Sequence, residues 1–379
     1  MRKVLPSFIK QIIRFLYYRQ ERVRVFREPG IRRIQDKEIK RHNPTANKLV
    51  LFMIQGADYE TGIDKISGGI ISIVSLCEES RKLSEIHNSE VLLCTFPGQY
   101  LLVKHTQFKN ETTVFRYDQM EKYFPKVNEV IIHLPEYLCE HFVMLTNNGN
   151  IEWLRKMNSL HINILNQNIR FMPQISVINE LKRIATRVTS TTAHQQYCTP
   201  YYRDLYQIPL HKFSVWISPE KYHFKSFAEK ENLMVVSPDG HPAKQEVLDK
   251  LNSVPNLRVQ IIKNLTYEEY KELISRAKWS LTFGEGLDGY LIEPVFSGAV
   301  GFAVYNEEFF TADFKELKTI YSSIEQLSDN IISDIQQLND ITKFQISQQL
   351  QFNVCAFHYS MEVYQENIAA FYRKEYTYA

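Results

Sequence analysis

The chain has 379 residues, 44% hydrophobic and 23% charged, a composition that suits a soluble globular protein and a length that favours two cores over one. Lys and Arg number 45 against 43 Asp and Glu, yet residues 1–42 alone hold 13 basic and 4 acidic residues, so a basic end precedes an acidic body. That asymmetry points to an anionic surface as partner, and its confinement to one end, with no recognition motif, argues against nucleic acid.

Residues 3–25 interleave Phe8, Ile9, Ile12, Ile13, Phe15 and Leu16 with Lys3, Lys10, Arg14, Arg19 and Arg22. The spacing predicts a basic amphipathic helix suited to an anionic membrane surface or to packing on the body by one face. From Lys48 strand and helix alternate. Strands are predicted over 49–54, 91–96, 130–133, 161–165, 188–192 and 213–217, with helix-like sequence between them. The charged stretch 221–232 reads as a linker. A second alternation follows, with strands over 233–236, 257–262, 279–283 and 299–305. Helices are predicted over 243–254, from Thr266 with Glu269 completing a capping box, over 290–297 and 324–338, and as one long or broken helix over 343–376. The fold class is α/β, with two Rossmann-like domains facing across a cleft.

Cys77, Cys94, Cys139, Cys198 and Cys355 are odd in number and far apart. That argues against a disulfide framework and a zinc site and favours a reducing compartment. No run of about 18 uncharged apolar residues is present and no secretory leader is recognisable, so the expected localisation is cytoplasmic, at the inner face of the membrane if the basic segment binds lipid. Neither Gly-x-x-x-x-Gly-Lys-Ser/Thr nor an opening Gly-x-Gly-x-x-Gly occurs, which argues against a P-loop kinase or ATPase and against a nicotinamide enzyme.

The strongest chemical signal is Phe283-Gly284-Glu285-Gly286-Leu287-Asp288-Gly289-Tyr290-Leu291-Ile292-Glu293, with Gly298 beyond. An apolar strand enters a glycine-rich turn and a helix begins near Tyr290. Glycines let backbone amides approach a ligand, and a helix N-terminus suits a phosphate or oxyanion. Glu285 in the turn and Glu293 on the helix can both accept hydrogen bonds from sugar hydroxyls, although an acid near a helix start is also favourable by itself.

These residues resemble the Glu-x7-Glu motif of the retaining GT-B glycosyltransferases, a family with many bacterial polysaccharide enzymes. The resemblance implies a hexosyl transfer from a nucleotide-sugar donor to a glycan or lipid-linked acceptor, with retention, in surface polysaccharide synthesis. It implies that Glu285 contacts the donor sugar and Glu293 the ribose, with Gly284, Gly286, Leu287, Asp288 and Gly289 around the donor. The chain departs from the family where Leu287-Asp288-Gly289-Tyr290 replaces Phe-Gly-Leu-Pro, and at Pro294. Ser237-Pro238-Asp239-Gly240-His241-Pro242-Ala243-Lys244 follows the first strand of the second half. By resemblance Ser237, Gly240 and His241 bind the donor and Lys244 neutralises the diphosphate, but the family's usual Arg partner is missing. The alternative is a plain turn with a solvated Lys.

Ser67-Gly68-Gly69 resembles the family's N-terminal glycine-rich loop, near the donor phosphates and the acceptor. His133, in Val130-Ile131-Ile132-His133-Leu134-Pro135, matches a His near the reacting sugar, or is a satisfied structural His. His194 and Asn166-Gln167-Asn168 are weaker candidates at later strand ends. No Asp-x-Asp pair is present, so no metal cofactor is expected. The implied layout is a basic segment over 1–45, an acceptor domain over 46–222, a nucleotide-sugar domain over 223–345 and a C-terminal helix over 346–379 crossing back. The alternatives are a non-catalytic nucleotide-sugar-binding assembly partner, or another sugar-phosphate enzyme on the same fold.

Overall fold

A computed structural model describes residues 15–16, 19–55, 68–96, 113–147, 152–213 and 221–379. The chain forms two compact units. One takes the residues up to Thr192 with Pro200–His211 and Ile368–Ala379, and the other takes Ala193–Thr199 with Lys212–Asn367.

In unit 1 seven strands form one sheet: β1 (Lys48–Ile54), β2 (Glu90–Thr95), β3 (Val114–Arg116), β4 (Glu129–Pro135), β5 (Ser159–Asn166), β6 (Arg187–Thr192) and β7 (Leu210–Lys212). Their order is β3-β2-β1-β4-β5-β6-β7, and the pairs from β3 through β6 are parallel. β1 is a continuous apolar run because helices cover both faces of such a sheet, and Leu49 to Ile54 are all buried. Helix Ile175–Ile184 turns Ile178 and Leu181 onto the same core.

Unit 2 holds β8 (Glu231–Val236), β9 (Arg258–Ile261), β10 (Ala277–Leu281), β11 (Val300–Val304) and β12 (Ile320–Tyr321), in parallel order β12-β11-β10-β8-β9. Alternate residues of β8 feed different cores. Leu233 and Val235 join Tyr270, Leu291 and Val295 on one face, while Met234 and Val236 join Val247, Leu327 and Ile331 on the other. Helix Ile324–Leu338 buries Leu327, Ile331 and Ile335 at a spacing of four, with Ser323 capping Gln326 N at 3.2 Å. Helix Tyr267–Arg276 carries the expected Thr266–Glu269 capping box.

Several expectations are corrected. The described N-terminal helix is Arg19–Ile39, so it runs well beyond residue 25; residues 1–14 and 17–18 lie outside the described residues. β3 and β12 were not expected, because three and two residues are too short to show a period. β7 at Leu210–Lys212 was not expected; of the strand predicted over 213–217, residues 214–217 lie outside the described residues.

The stretch 221–232 is packed into unit 2 and is no linker. Tyr222 is buried, and the buried Lys230 ammonium donates to Ser275 O at 2.9 Å and Ala277 O at 3.0 Å. The C-terminal helix breaks at Ser360 into Ile341–Tyr359 and Met361–Arg373. Only Ile368–Ala379 of the segment 346–379 groups with unit 1, where Tyr378 pairs with Leu210 through bonds of 2.8 and 2.9 Å.

Candidate active site

In unit 2 the chain passes from β8 outward to β9 on one side and then crosses to β10 on the other. Connections reverse direction between β8 and β10, and ligands of open parallel sheets bind beyond the carboxyl ends of the strands at such a point. The two strongest motifs of the sequence follow these two strands, residues 237–244 after β8 and 282–293 after β10.

The loops are tied to each other. Ser237 N donates to Leu281 O at 2.9 Å, and Phe283 N donates to Ser237 Oγ at 3.1 Å. Ser237 is fully buried, so its hydroxyl works as a clamp. His241 stacks on Phe283 with ring centroids 5.9 Å apart, and its Nδ1 accepts from Ala243 N at 3.2 Å. Lys244 Nζ donates to Ser237 O at 2.6 Å and Asp239 O at 2.7 Å, holding the first loop closed, and lies 5.6 Å from the Phe283 ring centroid. Burial lowers its pKa from the ordinary lysine value. Gly240 is exposed with open space around it.

Two glycines of the second loop are required by their surroundings. A methyl on Gly284 would lie 2.9 Å from Asp239 Cγ and Oδ2 and 3.4 Å from Asp288 Oδ2, so the loops approach through this position. Gly286 has φ +83°, and a methyl there would meet Phe310 at 2.5 Å. Leu287 is buried between them and the helix. Glu285 is half-buried in the turn.

Helix Gly289–Phe296 starts at Asp288, whose carboxylate accepts from Leu291 N at 3.2 Å and from Thr282 Oγ1 at 3.0 Å. The amide-rich helix start is therefore already capped by an acid. Burial pushes the Asp288 carboxyl up to about 7; the Thr282 hydrogen bond opposes this and the Asp239 charge adds to it. Glu293 is one turn farther on. Its Oε2 is buried and has no hydrogen-bond partner among the described residues, and its Oε1 would lie 2.8 Å from a methyl on Gly289. Burial pushes the carboxyl up to about 8, and hydrogen bonding from the Tyr270 and Tyr222 hydroxyls acts in the opposite sense.

Both tyrosines bond to other groups as well: Tyr222 and Tyr267 share a hydroxyl bond of 2.9 Å, and Tyr270 donates to Gly289 O at 3.3 Å. Sequence reasoning did not single out Asp239, whose Oδ2 is also buried without a partner among the described residues. An Asp before Gly reads as a turn former, and only its approach to Gly284 marks it.

The unit 1 candidates are placed differently. His133 is fully buried. Its Nε2 meets Tyr372 Oη at 3.2 Å, its Nδ1 accepts from Asn163 Nδ2 at 3.1 Å, and its ring stacks on Phe52 at 4.3 Å. Burial holds its pKa well below the ordinary imidazole value, with His161 and His87 adding to the effect. β4 continues two residues beyond it to Pro135, so the ring is enclosed in the core and not presented at a strand end. Gly68 opens helix Gly68–Lys82, and Gly69 O accepts from Gln167 Nε2 at 2.8 Å; Ser67 lies outside the described residues. Asn168 caps Arg170 N at 3.0 Å, and Asn166 is buried at the end of β5. His194 belongs to unit 2, edge-on to Phe309 at 5.3 Å. It lines a small cavity there with Gln196, Lys212, Leu287, Thr311 and His358.

No family model matches the chain, and no curated relative matches it. Solved structures do. Anabaena Alr3699/HepE in complex with UDP-glucose superposes with a TM-score of 0.57 at 9% identity, covering 86% of this chain and 99% of that one. A glycosyltransferase from Rickettsia africae ESF-5 gives 0.54 at 11%, covering 86% and 98%. A trehalose-6-phosphate synthase structure, from work on glycosyl transfer with retention, gives 0.51 at 8%, covering 86% and 99%. At such low identity the likeness shows the fold: two Rossmann-like α/β domains of the GT-B type.

Proposed function

We propose that the chain is a glycosyltransferase that moves a sugar from a nucleotide-sugar donor, held by unit 2, to a glycan or lipid-linked acceptor. One observation carries this reading. The loops after β8 and β10 are locked together at the reversal point of the unit 2 sheet. Around them stand Glu285, Asp288 and Glu293, the last with a buried oxygen that has no partner among the described residues. A buried carboxyl oxygen with no partner of its own suits a ligand that brings hydroxyls. The HepE complexes with UDP and UDP-glucose, on the same fold, support a nucleotide sugar as that ligand.

In this reading the ribose hydroxyls donate to Glu293 and the sugar hydroxyls to Glu285. The diphosphate lies over the two loops. An ammonium has three protons, and Lys244 commits two to carbonyls, which leaves one for a phosphate oxygen. Capping of the helix start by Asp288 means that the diphosphate is met by loop amides and Lys244 more than by the helix end. The acceptor hydroxyl attacks the anomeric carbon, the C–O bond to the diphosphate breaks, the charge that develops on the leaving oxygen is stabilised there, and the diphosphate takes up the hydroxyl proton. Retention is what the motif resemblance implies, and the lack of an Asp-x-Asp pair in the sequence supports a site that works without a metal.

The test is incubation with UDP-, GDP- and ADP-sugars, reading released nucleotide diphosphate and the fate of the sugar. Glycosyl product from wild type, with turnover lowered on the order of a hundredfold in Glu285→Ala, is expected for loss of a group that acts at the reacting sugar. Binding of donors with no turnover by any of them would contradict transfer and leave a binding module; an epimerised or phosphorolysed sugar would assign another reaction.

A further inference from the structure

Helix Arg19–Ile39 sorts its charges by face. Gln35 and Ile39 are buried; Gln35 Nε2 donates to Val114 O at 2.6 Å and Gln35 Oε1 accepts from Arg116 at 2.9 Å, while Asp36 pairs with Arg116 at 3.3 Å. These contacts fix the helix on the β3 edge and so fix which side is outermost. At 100° per residue, Arg22, Phe26, Arg33, Lys37 and Lys40 fall within about 60° of one another, opposite Gln35 and Ile39. All five are exposed, Phe26 at 75%.

The acids of this helix whose side chains are described sit elsewhere. Glu28 pairs with Arg32 on the inner side, and Glu38 pairs with Arg41 at the helix end. The outer face is thus basic with an aromatic side chain at its centre, and Leu16, whose carbonyl accepts from Arg22 at 2.8 Å, is also exposed at 62%. The preceding sequence adds Arg2, Lys3, Lys10 and Arg14 with no acid.

We infer that this face docks on an anionic lipid surface. The basic side chains complement lipid phosphates, each worth about 1 kcal/mol near the surface, and Phe26 enters the headgroup region, where aromatic rings are favoured. A polyanion such as RNA would use the charges but has no need for a central, solvent-exposed Phe flanked by Arg and Lys. The proposal stands on unit 1 alone and is independent of the donor site.

The test is flotation of the full chain with phosphatidylcholine vesicles and with phosphatidylcholine–phosphatidylglycerol vesicles. Recovery is expected only with the anionic vesicles and is expected to fall in high salt. Arg33→Gln with Lys37→Gln lowers partitioning on the order of thirtyfold, the conversion of two such contacts. Phe26→Ser lowers it several-fold at unchanged charge, and Lys318→Gln, an exposed lysine of unit 2, leaves it unchanged. Circular dichroism and thermal melting confirm folding of each variant, and nucleotide binding serves as a separate readout for unit 2. Equal recovery on neutral vesicles would overturn the inference. So would an equal loss with Lys318→Gln, or heparin binding matching vesicle binding with no effect of Phe26→Ser.

Discussion

Glu293 concentrates the chemistry of the site in one group. Its carboxyl is held up to about 8 mainly by burial, so at neutral pH it is largely protonated without ligand. A donor that brings ribose hydroxyls favours the charged form and lowers that pKa, so binding at pH 7 releases a proton. Titration calorimetry of a bound donor in buffers of different ionisation enthalpy should show that release in wild type and lose it in Glu293→Gln. Unchanged proton release in the variant would place the titrating group elsewhere.

Without ligand, the folded state holds protons at Glu293 and Asp288 that the unfolded chain gives up near its ordinary carboxylate range. Their contribution to stability therefore falls as pH rises from about 4.5 to 8. Glu293→Gln should melt higher than wild type at pH 8.5 and show less advantage at pH 5. Lys230 behaves as the basic counterpart. Burial lowers it to about 7, so its contribution to stability rises as pH climbs from 7 to the ordinary lysine value.

Among elements, the coupling of the two loops depends on few bonds. Ser237→Ala removes the acceptor of Phe283 N and leaves a buried amide unsatisfied, at a cost of about 1–3 kcal/mol. Asp288→Ala removes the helix cap and costs about 1 kcal/mol. Chemical denaturation measures both, and an unchanged midpoint in Ser237→Ala would show that the clamp is not tight.

How far these elements were legible depended on how local their causes are. The capping box at Thr266, the spacing of Leu327, Ile331 and Ile335, and the glycine turn between Phe283 and Tyr290 are written in neighbouring residues. β3 and β12 are too short to carry a period, and their pairing is decided by strands already in the sheet. The enclosure of His133 depends on Asn163 and Tyr372, distant in sequence. The misreading of 221–232 has the same origin, since the polar partners that bury Lys230 are Ser275 and Ala277. Asp239 gains meaning only from a glycine 45 positions later.

For the whole molecule, the chain closes on itself. Ile368, Phe371 and Tyr372 are buried in unit 1, Tyr372 donates to Ser80 Oγ at 2.9 Å, and Tyr378 pairs with Leu210. Truncation after Asn367 removes those three buried apolar side chains, each worth about 2 kcal/mol. Hydrogen exchange of the truncated chain should accelerate in β4 to β7 while β8 to β11 stay protected. Uniform acceleration in both units would mean that they do not fold as separate cores.

The two-unit fold is also found in HepE, solved in complex with UDP-glucose, and in a trehalose-6-phosphate synthase, and the proposed donor site lies on unit 2. Hydrogen exchange of the intact chain with and without saturating UDP-glucose tests it most directly. Slowed exchange confined to residues 237–244 and 282–296 is the predicted result. Slowing confined to unit 1, or none at a concentration where calorimetry reports full binding, would contradict the account.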